Sequence, residues 1–388
     1  MGQLQLFSNR HRDESSPAAH TESTYHFLDR CAKPGCEAIR RLLQRWFEHY
    51  PLAHAKALKR RLTADDFHSA FFELLVHEVL RRTECRPEVD PTLASGLKPD
   101  FLALKRDTRI FLEAAVVTDE SRDKKKQEAV RSAVYDIINE VDSPDYFLGI
   151  KECTLKGHAQ PPRKAILAFL RAHIGAANYE EVSAAFIEGL DRVAWTYEDD
   201  RLTLVVTPVP KAKARGEPGV RPIGMYPIES RWGGSKEAIR KRLSEKAKRY
   251  KNLGEQFVIA VNCVSRWGTD WDDIVDALFG SLQVVVDSHT REAHESRARD
   301  GFFIGKMGPQ NTRVSAVLVT TVFPWSLAKA SVKLILNPWA AYPLTEGVLP
   351  FERVSVVASK LATVAGESLR VVLELPDDWP EGADEIVD

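Results

Sequence analysis

Long apolar runs are missing from this sequence, and so is a sizeable net charge. No stretch approaches the roughly 18 consecutive apolar residues that predict a membrane-spanning helix, so we expect no membrane partner. The opening residues MGQLQLFSNR lack the apolar segment of a secretory signal. The formal net charge is −1, so the chain has no global field that would attract nucleic acid. Any contact with nucleic acid must come from local basic patches.

Cysteine is also scarce. The five cysteines are scattered along the chain, and an odd number of them fits a reducing compartment, which predicts a cytoplasmic protein. Cys31 and Cys36 are not matched by a second close pair elsewhere, which argues against a zinc site. The cysteines therefore predict neither a disulfide framework nor a metal centre.

The length and composition indicate an ordinary globular protein of class α/β. With 388 residues, of which 44% are apolar and 28% charged, the chain can form two domains or one core with large insertions. Polar and acidic ends predict tails, and the apolar periodicity divides the rest. The predicted regions are a disordered tail (1–22), a helical region (23–62), a core (63–282) with an insertion at about 157–200, a β-rich extension (283–375) and an acidic tail (376–388).

A β-hairpin around residue 106 is the most informative local pattern. Phe101 to Leu104 and Arg109 to Val117 read as two strands, with a turn between them. A register symmetric about the turn sets Asp100 opposite Glu113, with Cβ atoms about 5 Å apart on one face. Two carboxylates that close repel each other unless a positive group lies between them. A divalent cation such as Mg²⁺ or Mn²⁺, which prefers oxygen ligands, would satisfy both.

Glu113 lies in the apolar run Ile110 to Val117. A run of this length predicts a strand that is covered on both faces. A carboxylate in such a strand needs a partner, because an isolated buried charge is strongly unfavourable. The alternative is an ordinary surface hairpin whose acidic groups are solvated.

Pro99-Asp100, a turn and then Glu113 on the returning strand resemble the core motif of the PD-(D/E)xK nuclease superfamily, which has the restriction-endonuclease-like fold. The resemblance extends over about residues 65–155 and 235–265. It implies a helix, three or four mixed strands, a second helix and a further strand, in a mixed sheet flanked by helices. The insertion and the additional C-terminal strands lie outside it.

The resemblance also implies catalytic residues and a cofactor. Asp100 and Glu113 would bind Mg²⁺ or Mn²⁺, and a glutamate on the preceding helix would assist, which matches Glu73. The superfamily's lysine, two positions after the glutamate, is replaced here by Ala115. Some members of the superfamily carry this lysine on a neighbouring helix instead.

Lys246 is the candidate replacement. In the helical segment Ser235 to Lys251 it falls on the same narrow apolar stripe as Ile239 and Tyr250. A lysine on such a stripe either extends along its stem to water or reaches a buried acid. The rival source of the ammonium is the run Lys124 to Lys126, which follows the glutamate strand and also reads as a solvated helix start.

The apolar helix Phe67 to Arg82 carries two glutamates that cannot share one face. Periodicity places Glu78 on the apolar stripe, whereas the resemblance favours Glu73 as the residue that points to the site. The two arguments disagree, and we follow the resemblance.

These patterns predict a metal-dependent endonuclease that hydrolyses phosphodiester bonds, with DNA as the expected partner. Arg240, Lys241 and Arg249 would contact phosphates. The alternative is a catalytically inactive nuclease-like domain that serves as a nucleic-acid-binding or protein-interaction subunit, which would explain Ala115 directly. A homodimer and a multi-component assembly both remain open.

Overall fold

The computed structural model describes residues 4–64, 66–118, 122–188, 193–211, 215–216, 221–227, 235–250, 253–264, 269–286, 291, 293–357 and 360–380. The helices span Thr24–Arg30 (α1), Pro34–His49 (α2), Leu52–Leu62 (α3), Phe67–Arg82 (α4), Arg122–Asn139 (α5), Arg163–Ala176 (α6), Tyr179–Glu188 (α7), Ser235–Arg249 (α8), Trp271–Phe279 (α9) and Leu369–Val372 (α10). Strands β1 to β10 span Arg86–Val89 (β1), Phe101–Lys105 (β2), Thr108–Val117 (β3), Tyr146–Leu155 (β4), Trp195–Glu198 (β5), Leu202–Pro210 (β6), Ile223–Met225 (β7), Gln256–Cys263 (β8), Leu282–Val286 (β9) and Ala293–Arg297 (β10). The remaining strands span Ile304–Gly305 (β11), Gly308–Pro309 (β12), Ala316–Thr320 (β13), Val332–Leu336 (β14), Glu352–Val357 (β15) and Lys360–Val364 (β16).

The chain divides into two compact units. The first comprises Met1–Pro17, Ser23–Asp119 and Gly233–Asp388, and the second comprises Ala18–Glu22 and Glu120–Trp232. The second unit has its own sheet, with strand order β5-β6-β4-β7, against which α5 and α6 pack. Each unit therefore has a core of its own.

The first unit is built on a mixed sheet with strand order β1-β2-β3-β8-β13-β14-β15-β16. Strands β1, β2 and β3 form an antiparallel meander, while β8 runs parallel to both β3 and β13. The parallel β3–β8 pair requires a crossover connection, and α8 lies in it. The α/β class with a large mixed sheet flanked by helices is thus confirmed.

Helices cover the two faces of this sheet. Phe111 and Val117 of β3 pack with Ile239 and Leu243 of α8. Leu112, which points to the other face because strand side chains alternate, lies beside apolar residues of α4. Residues 111, 113, 115 and 117 therefore face α8, and their even-numbered neighbours face α4.

The predicted hairpin is present in the predicted register. Leu104 pairs with Arg109 and Leu102 with Phe111. The turn contains two residues, of which Arg106 has φ +52°, a conformation typical of tight hairpin turns. The helix predicted for Phe67 to Arg82 has these same limits as α4.

The predicted insertion and the predicted C-terminal extension both differ from the structure. The insertion predicted at about 157–200 is part of the larger second unit, Glu120–Trp232, which includes β4. Part of the predicted C-terminal extension, strands β13 to β16, completes the main sheet. Periodicity identifies a strand but not its neighbours, which are chosen by long-range packing.

The predicted N-terminal tail is packed where the structure describes it. Leu6 is 1% exposed, and Glu14 forms a β-bridge to Cys31. Helices α1 to α3 lie within the predicted helical region over 23–62. Of the predicted acidic tail, residues 381–388 lie outside the described residues. Among the helices that the structure describes, none is long and apolar enough to cross a membrane.

Candidate active site

The hairpin brings Asp100 and Glu113 together, as the register predicts. Asp100 directly precedes β2, and its Oδ2 accepts a hydrogen bond of 2.7 Å from the backbone N–H of Ala114. Glu113 lies in the middle of β3 and is completely buried on the α8 side of the sheet. The backbone therefore holds one carboxylate at the end of a strand and the other inside the adjacent strand.

Lys246 of α8 reaches both carboxylates. Its Nζ lies 2.5 Å from Glu113 Oε2 and 3.6 Å from Asp100 Oδ2. The lysine is 9% exposed, because its neighbours on the helix, Leu243 and Ala247, are buried in the core between α8 and the sheet. The side chain thus bridges the carboxylates, whereas the rival residues Lys124 to Lys126 are exposed on α5 in the second unit.

Tyr250 is a further residue of this cluster, and the sequence reasoning missed it. Its hydroxyl donates to Glu113 Oε1 and lies 2.8 Å from the carbonyl oxygen of Lys98, a second acceptor. Its ring packs edge-on against Phe257. Tyr250 occurs four residues after Lys246, so the two side chains lie on one helical face. The four-residue spacing is the signal that the sequence offers, although there Tyr250 reads only as a member of an apolar stripe.

The pKa values of Glu113 and Tyr250 are both raised in this cluster. Burial raises the pKa of Glu113, and the like charge of Asp100 raises it further; the Lys246 ammonium and the Tyr250 hydrogen bond do not outweigh these effects. Burial and the hydrogen bond to Glu113 also raise the pKa of Tyr250, so its hydroxyl stays protonated and remains a donor. The half-exposed guanidinium of Arg249 lies 3.6 Å from Glu113 Oε2 and provides the nearest additional positive charge.

Glu73 does not join this cluster. Its Oε1 accepts from the Tyr50 hydroxyl at 2.7 Å, and its Oε2 lies 2.5 Å from Nη1 of Arg61. The helix that carries it covers the face of the sheet opposite to the one that Glu113 occupies. The structure therefore places Glu73 in an ion pair with α3, and the role that the resemblance implied for it has no geometric support.

Glu78 is the glutamate that α4 buries, as periodicity indicated. It is completely buried, forms ion pairs with Arg81 and Arg82, and lies 3.1 Å from Nδ1 of His49. The resemblance therefore selected the wrong glutamate as the one that points inward, and the periodicity selected the right one. The physical reason is that Glu78 shares the apolar stripe of α4, while Glu73 lies at its edge.

The donor set at Asp100 and Glu113 is chemically suited to a hard divalent cation, since carboxylate oxygens are the ligands that Mg²⁺ and Mn²⁺ prefer. The two carboxylates already face the buried Lys246 ammonium and the half-exposed Arg249 guanidinium, so a cation would have to share their oxygens with these groups. Within the part of the chain that the structure describes, no group of three or more His, Cys, Asp or Glu residues is arranged to hold a metal ion. Any cation here would therefore depend on this carboxylate pair and on backbone or water oxygens.

Comparisons with family models, with curated proteins and with solved structures found no match to this chain.

Proposed function

We propose that this protein is a metal-dependent nuclease with a restriction-endonuclease-like core, which hydrolyses phosphodiester bonds in DNA. The observation that carries the proposal is the position of Lys246, whose Nζ lies 2.5 Å from Glu113 Oε2 and 3.6 Å from Asp100 Oδ2. Ala115 removes the lysine from its usual place in the motif, and α8 supplies an ammonium at the same two carboxylates. Because the Lys246 ammonium comes from a distant segment and reaches both carboxylates, we favour a chemical role for it over a chance ion pair.

The order of elements supports the same proposal. The segment α4-β1-β2-β3 followed by α8 and β8 has the sequence of helix, mixed strands, helix and strand that the resemblance implies. The second unit is inserted between β3 and α8. The part of the resemblance over about residues 120–155 belongs to that unit, whose sheet is separate, so the first unit alone carries this order.

In the proposed site, Asp100 and Glu113 would hold Mg²⁺ or Mn²⁺ together with the backbone carbonyl of Ala114. The metal would lower the pKa of a bound water and neutralise charge on the scissile phosphate. Lys246 orients the attacking water or stabilises the negative charge that develops on the phosphate. Tyr250 holds the Glu113 carboxylate in place through Oε1.

Arg249 is the basic residue best placed to bind a phosphate beside the carboxylates, because its guanidinium is half exposed and lies 3.6 Å from Glu113 Oε2. Of the other two basic residues expected to contact phosphates, Arg240 is instead paired with Asp300, and Lys241 is exposed on α8. Contacts of this kind give salt-dependent binding. We therefore expect DNA binding that weakens as the salt concentration rises.

The proposed setting is the cytoplasm. All five cysteines are buried and none forms a disulfide, which supports a reducing compartment. The partner is nucleic acid, and DNA is the substrate to test first. A homodimer or a larger assembly would supply the additional contacts that a net charge of −1 does not.

The test is an assay of plasmid cleavage with Mg²⁺ or Mn²⁺, using the wild type, Asp100→Asn and Glu113→Gln. We expect cleavage by the wild type and a loss of at least about a thousandfold in either variant, because metal-assisted charge stabilisation disappears. Glu73→Gln is the matched control and should cleave normally. Equal cleavage by the wild type and Glu113→Gln would refute this site.

A second candidate function is a catalytically inactive nuclease-like domain that binds nucleic acid or a protein partner. It is favoured by one observation, that both carboxylate oxygens of Glu113 already accept hydrogen bonds from Lys246 and Tyr250. Calorimetric titration with Mg²⁺ and Mn²⁺ in the presence of DNA separates the candidates. Metal binding that Glu113→Gln abolishes supports the nuclease, and DNA binding without metal binding supports the inactive domain.

A further inference from the structure

A pocket of about 540 Å³ lies between the N-terminal segment of residues 5–12 and helix α2, within the first unit. Its size is within the range of about 300–1,000 Å³ that is typical of small-molecule sites. The segment is fixed there by specific contacts, including the backbone N–H of Leu6 on Gln44 Oε1 and the Nη2 group of Arg12, 3.0 Å from Asp29. The proposed nuclease chemistry makes no use of this pocket.

Guanidinium groups dominate its lining. Arg10, Arg12, Arg40 and Arg41 line the pocket, against the two carboxylates Glu37 and Glu48. The guanidinium of Arg12 is already used in hydrogen bonds, since it donates to the backbone carbonyls of Ser8, Arg10 and Asp29. The side chains of Arg10 and Arg41 are 54% and 70% exposed, and each has an acidic neighbour, Asp29 at 3.5 Å and Glu37 at 3.7 Å.

Arg40 is a buried arginine with hydrogen-bond donors that a ligand could use. It is 7% exposed, and the hydrogen bonds described for it use only Nη1, which donates to the carbonyls of Leu28 and Cys31. In the described part of the chain no carboxylate forms an ion pair with it, and its Nε–H and Nη2–H have no protein acceptor. A buried charge without a counter-ion is unfavourable. Burial and the nearby Arg12 lower the pKa of Arg40, which reflects the same imbalance.

We infer that this pocket binds a small phosphorylated molecule, with Arg40 as the buried anchor and with Arg10 and Arg41 closing on the phosphate from the rim. Guanidinium groups bind phosphate oxygens through two parallel N–H donors, which suits the two free donors of Arg40. Glu37 lies 3.7 Å from Arg41 and attracts Arg40 only at longer range, and Glu48 accepts from Gln44, so neither forms a described ion pair with Arg40. A phosphate would complete the coordination of the buried charge.

The experiment is calorimetric titration of the full-length protein with inorganic pyrophosphate at low salt. We expect one binding site in the wild type. The double variant Arg10→Gln/Arg41→Gln should weaken binding at least about tenfold, because it removes the charge-assisted hydrogen bonds that these two guanidinium groups form with the phosphate. Arg40→Gln should abolish it.

The double variant Arg106→Gln/Arg171→Gln is the matched control, since both arginines are exposed and lie outside the pocket. Binding equally weakened by this control, or no binding to the wild type, would overturn the inference. Should Arg40→Gln fail to fold, the exposed double variant decides alone. A single-stranded oligothymidylate is titrated in parallel. If it binds through these arginines while pyrophosphate does not, the pocket contacts nucleic acid and the assignment to a small molecule is wrong.

Discussion

Glu78, on the helix that covers one face of the main sheet, and Glu113, on a strand that faces the opposite helix, are both completely buried. Glu78 is neutralised mainly by its own helix, with Arg81 and Arg82 three and four residues further on, and by His49 at 3.1 Å. Glu113 depends on Lys246 and on Tyr250, which are 133 and 137 residues away in sequence. One glutamate is paired locally, whereas the other is paired across the fold.

Their pKa values move in opposite directions. Burial alone raises the pKa of Glu78, but hydrogen bonds from Arg81, Arg82 and His49 together outweigh burial and hold it below the ordinary value. At Glu113 burial and the like charge of Asp100 prevail, and the pKa is raised. The surroundings of Glu78 thus stabilise its ionised form, as expected of a structural group. Those of Glu113 destabilise its ionised form, and a shift of this kind is common at functional sites.

Replacing Lys246 should have the largest effect. Lys246→Gln removes the charge that the proposed chemistry needs, so we expect a loss of DNA cleavage of about 10²- to 10³-fold. Lys248→Gln, at an exposed position of the same helix, is the control and should leave cleavage unchanged. The rates are measured on plasmid DNA with saturating Mg²⁺, and thermal unfolding verifies that both variants are folded. A Lys246→Gln rate close to that of wild type would remove the chemical distinction between the two glutamates.

Neutralising Glu78 should destabilise the protein. Glu78→Gln leaves Arg81, Arg82 and His49 without their shared acid, and breaking a buried ion pair costs about 3 kcal/mol. Because the folded-state pKa of Glu78 is depressed, this stabilisation is present at neutral pH and is lost as the pH falls through the folded pKa. Urea unfolding at neutral and acidic pH measures it.

The exposed Glu88 provides the control for this prediction, since Glu88→Gln should unfold as the wild type does. A wild-type midpoint for Glu78→Gln at neutral pH would show that the local ion pairs contribute nothing.

His77, on the same helix as Glu78, should make the protein sensitive to acid. Burial lowers the pKa of His77 to about 4, and its Nδ1 has no hydrogen-bond partner among the described residues. The pKa of histidine in the unfolded chain is about 6.5, so the unfolded state takes up a proton first as the pH falls. The free energy of unfolding therefore decreases between pH of about 6.5 and about 4. The loss amounts to at most about 3 kcal/mol.

His77→Phe keeps an aromatic ring against Tyr50 and Phe101 and should remove this pH dependence. Urea unfolding between pH 7 and pH 4 measures the effect, and His158→Phe, at an exposed position, is the control. An unchanged slope of stability with pH in His77→Phe would show that another group causes the acid sensitivity.

Glu113→Gln should have the smallest effect on stability, and with the sign opposite to that of Glu78→Gln. Because the folded-state pKa of Glu113 is raised, the wild type loses stability as the pH rises through that value, and the neutral glutamine avoids the loss. We therefore expect a modest rise of the melting temperature at alkaline pH, measured by calorimetry in the presence of a chelator. A clear fall at the same pH would mean that the Lys246 ion pair stabilises Glu113 as fully as the arginines stabilise Glu78.

Much of this arrangement could be predicted from local patterns in the sequence. The hairpin register, the limits of α4 and the position of Lys246 on the buried stripe all follow from periods of two and 3.6 residues. The burial of Glu78 follows from the same periodicity. Each of these features depends on residues that are close in sequence, for which the backbone geometry leaves few alternatives.

The tertiary structure alone decided the rest. It placed β13 beside β8, grouped residues 120–232 into a separate unit, and turned Glu73 towards Arg61 instead of the carboxylate pair. It also brought the Tyr250 hydroxyl to Glu113. These contacts join segments that are distant along the chain, and no local period specifies which distant surface a side chain will meet. Local periodicity thus indicated buried positions for Glu78, Glu113 and Lys246, although the resemblance favoured Glu73 over Glu78, and only the packing of α8 on the sheet brought Lys246 to Glu113.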